Sequence, residues 1–453
     1  MGAFHAYDIR GVWNVDFNAD TAYRIGAFLP QLLKTDKVVV GRDCRLSSPE
    51  IHKMLLEGLT DAGADVYDLG LSSTPMVYFA TANYGFDASV QITASHNPGK
   101  YNGMKVSRTN ALPVGYDSGL GLIEEWIKEG KATPKAERKG VVKAFSVKED
   151  YLKFLLGYKD DLSGLKIAMD VSNGMAGLYV KDLFGDAPDY INLELDGNFP
   201  AHEPNPLIPA NVEQLRSLVR EKGSDIGVIY DGDADRVMFV DEKGNFISPD
   251  LMIAFLGNYF LRRRGEKGIV LQDIRSSKAV GEYLAPMGGT MATWKVGRAF
   301  AAPKLRELDG IYGGELAGHY YFRDFFYSDS GLLASILVLD ILAEFKKEGR
   351  TLSSVIASIE RYRNSGEVNF RVEDKAGAMA AIREHFVREQ QPLLEMDFDG
   401  FRLEYASWWF NVRPSNTEPY LRFICEAESD ELLQEKLSVV EKIIEEQFGG
   451  RRA

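Results

Sequence analysis

Apolar and polar positions follow two regimes along this chain. Up to about residue 365, short apolar runs end in polar loops and give way to helical spacing. Val38-Val39-Val40-Gly41-Arg42-Asp43 is the first such run. Ser47-Ser48-Pro49-Glu50 after it reads as the cap of a helix starting near Pro49. Ala88-Ser89-Val90-Gln91-Ile92 reads as another short strand. Lys166-Ile167-Ala168-Met169-Asp170 precedes the loop Ser172-Asn173-Gly174, and Gly268-Ile269-Val270-Leu271-Gln272-Asp273 precedes Arg275-Ser276-Ser277. Three similar starts predict three α/β domains of related build. Strand, helix, strand order implies parallel or mixed sheets with helices on both faces.

From Gly366 the pattern changes. Val368, Phe370 and Val372 alternate with polar residues, as in a half-buried strand. A helix is predicted over 375–389, strands over 401–405, 408–412 and 420–426, and an amphipathic helix over 430–448. The expected fold is α/β: three related mixed α/β domains and a smaller α+β C-terminal domain around a central cleft. The expected segments are 1–148, 149–253, 254–365 and 366–453.

Composition narrows the function. At 453 residues, 45% hydrophobic and 26% charged, the chain is long enough for several packed cores. A net charge of -13 argues against a nucleic-acid partner. It does not argue against a phosphorylated substrate. Charges beyond a Debye length of ~8 Å are largely screened, whereas a pair at ~4 Å interacts by ~4 kcal/mol at an effective dielectric of ~20. The two cysteines, Cys44 and Cys425, lack metal-type spacing and suggest free thiols in a reducing compartment. Asp8, Arg10 and Asp16 interrupt the N-terminal stretch, so no secretory signal is expected. The longest apolar run, 332–342, contains Asp340 and is too short to span a bilayer. It reads as a buried helix. A cytoplasmic protein with no membrane partner is expected, as a monomer or homodimer.

Candidate chemistry sits in five loops. Thr93-Ala94-Ser95-His96-Asn97-Pro98 puts a hydroxyl beside an imidazole at the end of a strand, with Lys105 a few residues on. Ser95 there is a candidate nucleophile with a base and an electrophile at hand, although the segment alone reads more readily as a polar surface turn. Asp231, Asp233 and Asp235 alternate between two apolar strands. Unpaired carboxylates repel, and a hard cation such as Mg²⁺ or Ca²⁺ is the simplest reason to cluster them. An EF-hand is rejected, since Arg236 stands where its glycine is needed and 237–240 reads as a strand. Gly313-Gly314-Glu315 and Gly318-His319 offer a carboxylate for sugar hydroxyls and an imidazole for an oxygen, with glycines that permit close approach. Arg413, Ser415, Asn416 and Thr417, with Arg422 nearby, supply donors suited to a phosphate. Tyr7-Asp8-Ile9-Arg10-Gly11 presents a guanidinium at a loop without crowding. Each domain thus offers a polar loop at the carboxyl end of a strand, where open α/β sheets bind ligands.

Together these motifs resemble the α-D-phosphohexomutase family, and within it the phosphomannomutase/phosphoglucomutase group, over essentially the whole chain. The resemblance rests on Tyr7 to Gly11, Thr93 to Pro98, Asp231-Gly232-Asp233-Ala234-Asp235-Arg236, Gly314-Glu315-Leu316-Ala317-Gly318-His319 and Arg413-Pro414-Ser415-Asn416-Thr417-Glu418-Pro419, in this order. It implies a four-domain, heart-shaped enzyme with one cleft. Ser95 would carry a phosphoryl group. Asp231, Asp233 and Asp235, with an oxygen of that phosphoserine, would hold Mg²⁺. Tyr7, Glu315, His319 and the Arg413 loop would contact the phosphosugar substrate. A hexose 1,6-bisphosphate would be both intermediate and activator. Arg10 and Arg236 would neutralise developing charge. Lys105 and His96 are the candidates for moving the proton of the attacking hydroxyl, with Lys105 favoured and His96 positioning the phosphoserine.

Two positions depart from the family pattern. Ala317 replaces a common serine, which removes one hydroxyl contact worth ~0.5–1.5 kcal/mol and so bears on substrate preference. Arg298 stands where several relatives have histidine, and it joins Lys295 as a candidate phosphate ligand. Phosphoglucosamine mutase, a non-catalytic phosphosugar-binding relative and a Mg²⁺-dependent phosphatase are the competing readings.

Overall fold

The computed structural model describes residues 2–415 and 419–453. Among these residues the chain forms four sheets. In the first, the strand Lys37–Arg42 lies between Asp65–Leu71 and Ala88–Ile92, parallel to both, and Tyr101–Arg108 runs antiparallel beside Ala88–Ile92. Ile9–Val12 adds to the outer edge of Tyr101–Arg108. In the second, Ile167–Asp170 lies between Asp189–Ile191 and Ile226–Tyr230, and Val237–Asp241 runs antiparallel to the latter. In the third, Gly268–Asp273 lies between Gly289–Trp294 and Tyr312–Gly314, with Tyr320–Phe322 antiparallel outside.

The three sheets therefore share one plan: three parallel strands, the last of which turns back through a loop into an antiparallel neighbour. That turning loop is 93–100 in the first sheet, 231–236 in the second and 315–319 in the third. The loops with Ser95, the aspartate triad and Glu315 occupy equivalent places in three copies of one motif. The first turn repeats as well. Asp170 and Asp273 end their central strands and Asp43 directly follows its own, and each accepts a hydrogen bond from the backbone N–H two residues on, at 2.9, 2.7 and 3.0 Å.

The second and third sheets share a continuous apolar core that includes the helix Gly331–Lys347, buried along nearly all its length. Asp340 inside it accepts from the Asp160 backbone N–H. No helix among the described residues is long and apolar enough to cross a membrane. The fourth sheet is antiparallel through its centre. Helices Lys375–Glu389 and Asp430–Phe448 cover one of its faces and enclose a separate core.

Between the third and fourth sheets the joint is largely polar. Arg402 donates to the carbonyls of Ile274 and Ser276, Lys278 donates to those of Tyr405 and Ala406, and the Ser277 hydroxyl donates to Glu426.

The helix expected near Pro49 is present, with an unusual start. The helix begins at Ser48, but the Ser47 side chain makes no capping bond. Instead the Ser47 and Ser48 hydroxyls accept from Asn102 Nδ2 at 2.8 and 2.9 Å, and Ser48 Oγ donates to Asp43. A stronger acceptor and donor nearby draw both hydroxyls away from the helix end.

Candidate active site

Ser95 lies in the turning loop of the first sheet, buried, with a left-handed φ of 52°. Its Oγ donates to Asp231 Oδ2 at 2.9 Å, and His96 Nδ1 lies 3.4 Å from the same Oγ. The Asp231 loop can come this close because residue 232 is glycine: a Cβ there would sit 2.5 Å from the Ser95 carbonyl oxygen. Burial, with the charges of Arg236 and Arg10, holds His96 well below the usual imidazole range, so it is neutral at pH 7.

Asp231, Asp233 and Asp235 are fully buried, and one oxygen from each lies within 4.8 Å of the others. Burial, then the charges of Asp233 and Asp235, push Asp231 well above the ordinary carboxylate range. Lys105 Nζ pairs with Asp233 Oδ2 at 2.7 Å and, closer still, with Asp235 Oδ2. Burial alone would weaken the lysine's hold on its proton; these two carboxylates outweigh it and raise the pKa. Thr74 Oγ1 also donates to Asp233 Oδ2. Each aspartate's other oxygen, Oδ1 of Asp233 and of Asp235, has no hydrogen-bond partner among the described residues. Buried oxygens without a hydrogen bond, beside a third carboxylate, are the hard donor set a divalent cation needs, although Asp235 Oδ1 also lies 3.7 Å from His319 Nδ1. The residues therefore fit a Mg²⁺ ion.

The third loop closes on the second through an antiparallel bridge between Arg236 and His319. Arg236 Nε donates to His319 Nε2 at 2.9 Å, and His319 Nδ1 faces Asp329 Oδ2 at 2.7 Å. The proton of the neutral ring is therefore on Nδ1. Glu315 accepts from the Gly297 N–H at 3.0 Å and the Tyr321 hydroxyl at 2.5 Å. Burial raises its pKa.

The second and third of these loops, through Asp235, Arg236, Glu315 and His319, line one cleft with Tyr7, Arg10, Arg298, Arg413, Ser415 and Arg422, while Ser95 and His96 are not among the lining residues. Seven cationic side chains line it against three acidic ones, despite the net charge of the whole chain. Arg10 reaches Asn97 Oδ1 at 2.8 Å, and Tyr7 donates to the Val296 carbonyl. Arg413 pairs with Asp399 at 3.3 Å and Arg422 with Glu367 at 2.8 Å. Asn416 and Thr417 lie outside the described residues. Lys295 is not among the lining residues, and its ammonium lies 5.6 Å from the centre of the Phe300 ring. Arg298 does line the cleft, but its guanidinium is engaged: it pairs with Asp329 at 2.9 Å, donates to the Ala111 carbonyl and stacks over Tyr78.

Family comparison agrees with this arrangement. Four models match in order: phosphoglucomutase/phosphomannomutase alpha/beta/alpha domain I over residues 1–133, domain II over 149–244, domain III over 248–362 and the C-terminal domain over 367–442. The chain belongs to the phosphoglucomutase/phosphomannomutase family. It is 37% identical over 448 residues to the phosphomannomutase of Salmonella typhimurium, covering 96% of this chain and 97% of that one. It is 38% identical over 442 residues to the phosphohexose mutases of Xanthomonas campestris pv. campestris, covering 96% and 97%. The crystal structure of a phosphoglucomutase/phosphomannomutase family protein from Burkholderia thailandensis superposes with a TM-score of 0.88 at 28% identity, covering 98% and 97%. The resemblance read from the loop motifs is borne out.

Within this family frame, two residues stand out that the loop motifs did not single out. Arg275 lines the cleft beside Arg413, oriented by Asp273 through its backbone N–H and its guanidinium, at 2.7 Å each. Asp329 orients His319. The signal for Arg275 is present in the chain as Asp273-Ile274-Arg275, a repeat of Asp43-Cys44-Arg45 after the equivalent strand. Asp329 has no such signal, since its partner is found only across the sheet.

Behind the Ser95 and Asp231 loops, the segment 196–208 is tied down by His202. Its Nε2 faces Asp170 Oδ2 at 3.0 Å and its Nδ1 faces the Glu203 carbonyl at 2.8 Å. Two acceptors require two ring protons, hence an imidazolium. Burial alone would lower its pKa, but Asp170 and the Glu203 carbonyl outweigh burial and raise it. A folded pKa above the unfolded value of about 6.5 means the stabilisation is complete below that pH and is lost as pH rises through the folded pKa. Between pH 6 and pH 9 the melting temperature should therefore lose a component, on the order of 2 °C, that is absent in His202→Gln. Calorimetry of both chains across that range checks it; identical pH profiles would remove the imidazolium from this account.

Proposed function

We propose that the chain is a phosphohexomutase that interconverts hexose 1-phosphate and hexose 6-phosphate, with mannose and/or glucose as the sugar, through phosphoserine at Ser95. The observation that carries this reading is the Ser95 hydroxyl, hydrogen-bonded to Asp231 within a buried acidic loop and flanked by a cleft rich in arginine. Relatives named phosphomannomutase and phosphohexose mutases support the reaction class.

In this reading the phosphoryl group moves from Ser95 Oγ to the free sugar hydroxyl, giving a bound 1,6-bisphosphate. The bisphosphate turns over. Ser95 Oγ then takes back the other phosphoryl group, so the phosphoserine is regenerated and the sugar is isomerised. Phosphoryl transfer needs alignment and charge neutralisation more than new covalent chemistry. Arg10 and Arg236 supply positive charge beside Ser95. Arg275, Arg413 and Arg422 hold the phosphate that is not reacting, and Ser415 with Asn416 and Thr417 completes that grip.

Glu315 accepts from sugar hydroxyls, and His319, with its proton fixed on Nδ1, turns an acceptor nitrogen to Arg236. Lys105 and His96 remain the two candidates for carrying the proton of the attacking hydroxyl. Their resting states differ, Lys105 charged and His96 neutral, and Lys105 takes a proton only once its contacts with Asp233 and Asp235 loosen. Asp231, Asp233 and Asp235 would hold Mg²⁺, which supplies further neutralisation of the transferring group. Arg298 takes a bridging role between the first and third sheets, and Lys295 stands at the margin. Turnover of the intermediate calls for room. The polar joint to the fourth sheet, whose core is separate, can open by exchanging its hydrogen bonds with water.

The test is a ³¹P NMR time course with Mg²⁺ and a trace of hexose 1,6-bisphosphate. Mannose, glucose and glucosamine 1-phosphates are offered separately. Growth of the 6-phosphate signal from the first two is expected. Conversion of glucosamine 1-phosphate alone would favour a phosphoglucosamine mutase. Free phosphate alone would favour a phosphatase, and no change at all a binding protein.

A further inference from the structure

Arg45 is not among the residues that line the cleft, yet its guanidinium is fully hydrogen-bonded beside the Ser95 loop. Its side chain is wholly buried, and all five of its N–H groups find acceptors. Nε donates to Asp43 Oδ2 at 3.0 Å. Nη1 donates to the carbonyls of Pro98 and Tyr101 at 2.8 and 3.1 Å, and Nη2 to those of Ser95 and Asn97 at 2.8 and 2.7 Å. Three of the five acceptors are thus backbone oxygens of the loop that carries Ser95, and a fourth belongs to Tyr101, where the next strand begins. Phe199 covers the guanidinium at 4.9 Å. Gly197 closes over the same turn, where a Cβ would lie 2.3 Å from the Cys44 carbonyl oxygen.

We infer that Arg45 is a positioning residue for the nucleophile: its guanidinium gathers the carbonyls of the Ser95 loop and holds Ser95 in its left-handed conformation, with Oγ on Asp231. This rests on the reading of Ser95 as the phosphoryl carrier. A non-glycine residue at φ 52° is conformationally costly and persists only where its surroundings impose it. The planar fork of arginine can bind four diverging carbonyls at once. A lysine ammonium is a point donor with three protons and cannot.

The equivalent turn of the third sheet shows the alternative use of the same motif. There Arg275 pairs with Asp273 as Arg45 pairs with Asp43, but its guanidinium lines the cleft. The carbonyls of that turn itself, those of Ile274 and Ser276, are bound by Arg402 from the fourth sheet. One duplicated turn therefore carries a ligand-facing arginine in one copy and a loop-holding arginine in the other.

The test uses the full chain with Arg45→Lys and Arg45→Ala. Displacing a reacting atom by ~1 Å costs about 100-fold. Both variants should lose about that factor in kcat while KM for the hexose 1-phosphate stays within about threefold, because the phosphate-binding arginines lie on other loops. Labelling of Ser95 by a radiolabelled hexose 1,6-bisphosphate should slow in parallel. Guanidinium chloride well below its denaturing range should restore Arg45→Ala by about tenfold or more, whereas equal urea or sodium chloride should not.

Turnover by Arg45→Lys within about threefold of the parent overturns the inference. So does a joint fall in kcat and rise in KM with no guanidinium rescue. If Arg45→Ala does not fold, the kcat and KM of Arg45→Lys decide alone. A parent chain that takes no label on Ser95 defeats the nucleophile reading itself. A parent and an Arg45→Lys variant that label equally fast defeat only the role of Arg45.

Discussion

Ser95→Ala should turn over hexose 1-phosphate at least ~1,000-fold more slowly than the parent chain, with little change in substrate affinity. The hydroxyl is the only oxygen of that side chain, and in the proposed route it forms and breaks a bond in both half-reactions. Nothing nearby can replace it. His96 Nδ1 is 3.4 Å from the same oxygen, but a phosphoryl group there would stand on a different atom, without the oxygen that Asp231 binds. The substitution costs the fold little. The hydrogen bond to Asp231 Oδ2 and the longer contact with His96 are lost at about 1–3 kcal/mol, since the Asp231 oxygen is buried, and alanine at φ 52° is strained much as serine is.

A coupled spectrophotometric assay gives turnover, and calorimetric titration with the sugar phosphate gives affinity. Intact mass after incubation with hexose 1,6-bisphosphate should show added phosphate in the parent only. Full activity in Ser95→Ala would remove the covalent route. A fall in affinity as large as the fall in rate would instead make Ser95 a binding residue.

The second large effect is on the acidic loop. Chelation of divalent cations should lower turnover by about 100-fold or more, and Mg²⁺ should restore it. Asp233→Asn should weaken Mg²⁺ binding by at least about tenfold and leave turnover about 100-fold low at saturating sugar phosphate. The reason is the division of labour within each carboxylate. Asp233 Oδ2 is already committed to Lys105 and Thr74, while Oδ1 has no hydrogen-bond partner among the described residues. An amide cannot serve both sides: its oxygen either meets the cation or faces Lys105. Mg²⁺ titration by calorimetry, without sugar, separates binding from rate. Unchanged Mg²⁺ affinity in Asp233→Asn would show that the triad is an ion-pair network around Lys105 and not a cation site.

Much of this molecule is legible in its linear pattern, and the reason is locality. The strands Lys37–Arg42 and Gly268–Asp273 and the helices Lys375–Glu389 and Asp430–Phe448 follow from side-chain periods of two and 3.6, which depend on neighbours a few residues away. The same holds for the Ser95, Asp231 and Glu315 loops, each of which bundles its chemistry into a few consecutive residues between strands. Their specificity as a set, and with it the family, is therefore carried by the sequence alone. That the Ser47 hydroxyl leaves the helix end is not legible locally, because its partner, Asn102, lies in the remote strand Tyr101–Arg108.

Tertiary structure decided the rest, because a polar side chain's role depends on the partner it meets, and here the partners are remote. Ser95 meets Asp231, Lys105 meets Asp233, and Arg298 meets Asp329, across separations that no local pattern encodes. Arg298 reads as a free cation in the chain and is a bridged one in the fold. The contrast between Arg45 and Arg275 is sharper still. Both follow an aspartate at the same step after the same strand, so their local instructions are alike. Only the position of each turn, buried under the Ser95 loop or at the wall of the cleft, assigns one guanidinium to the backbone and the other to the ligand space.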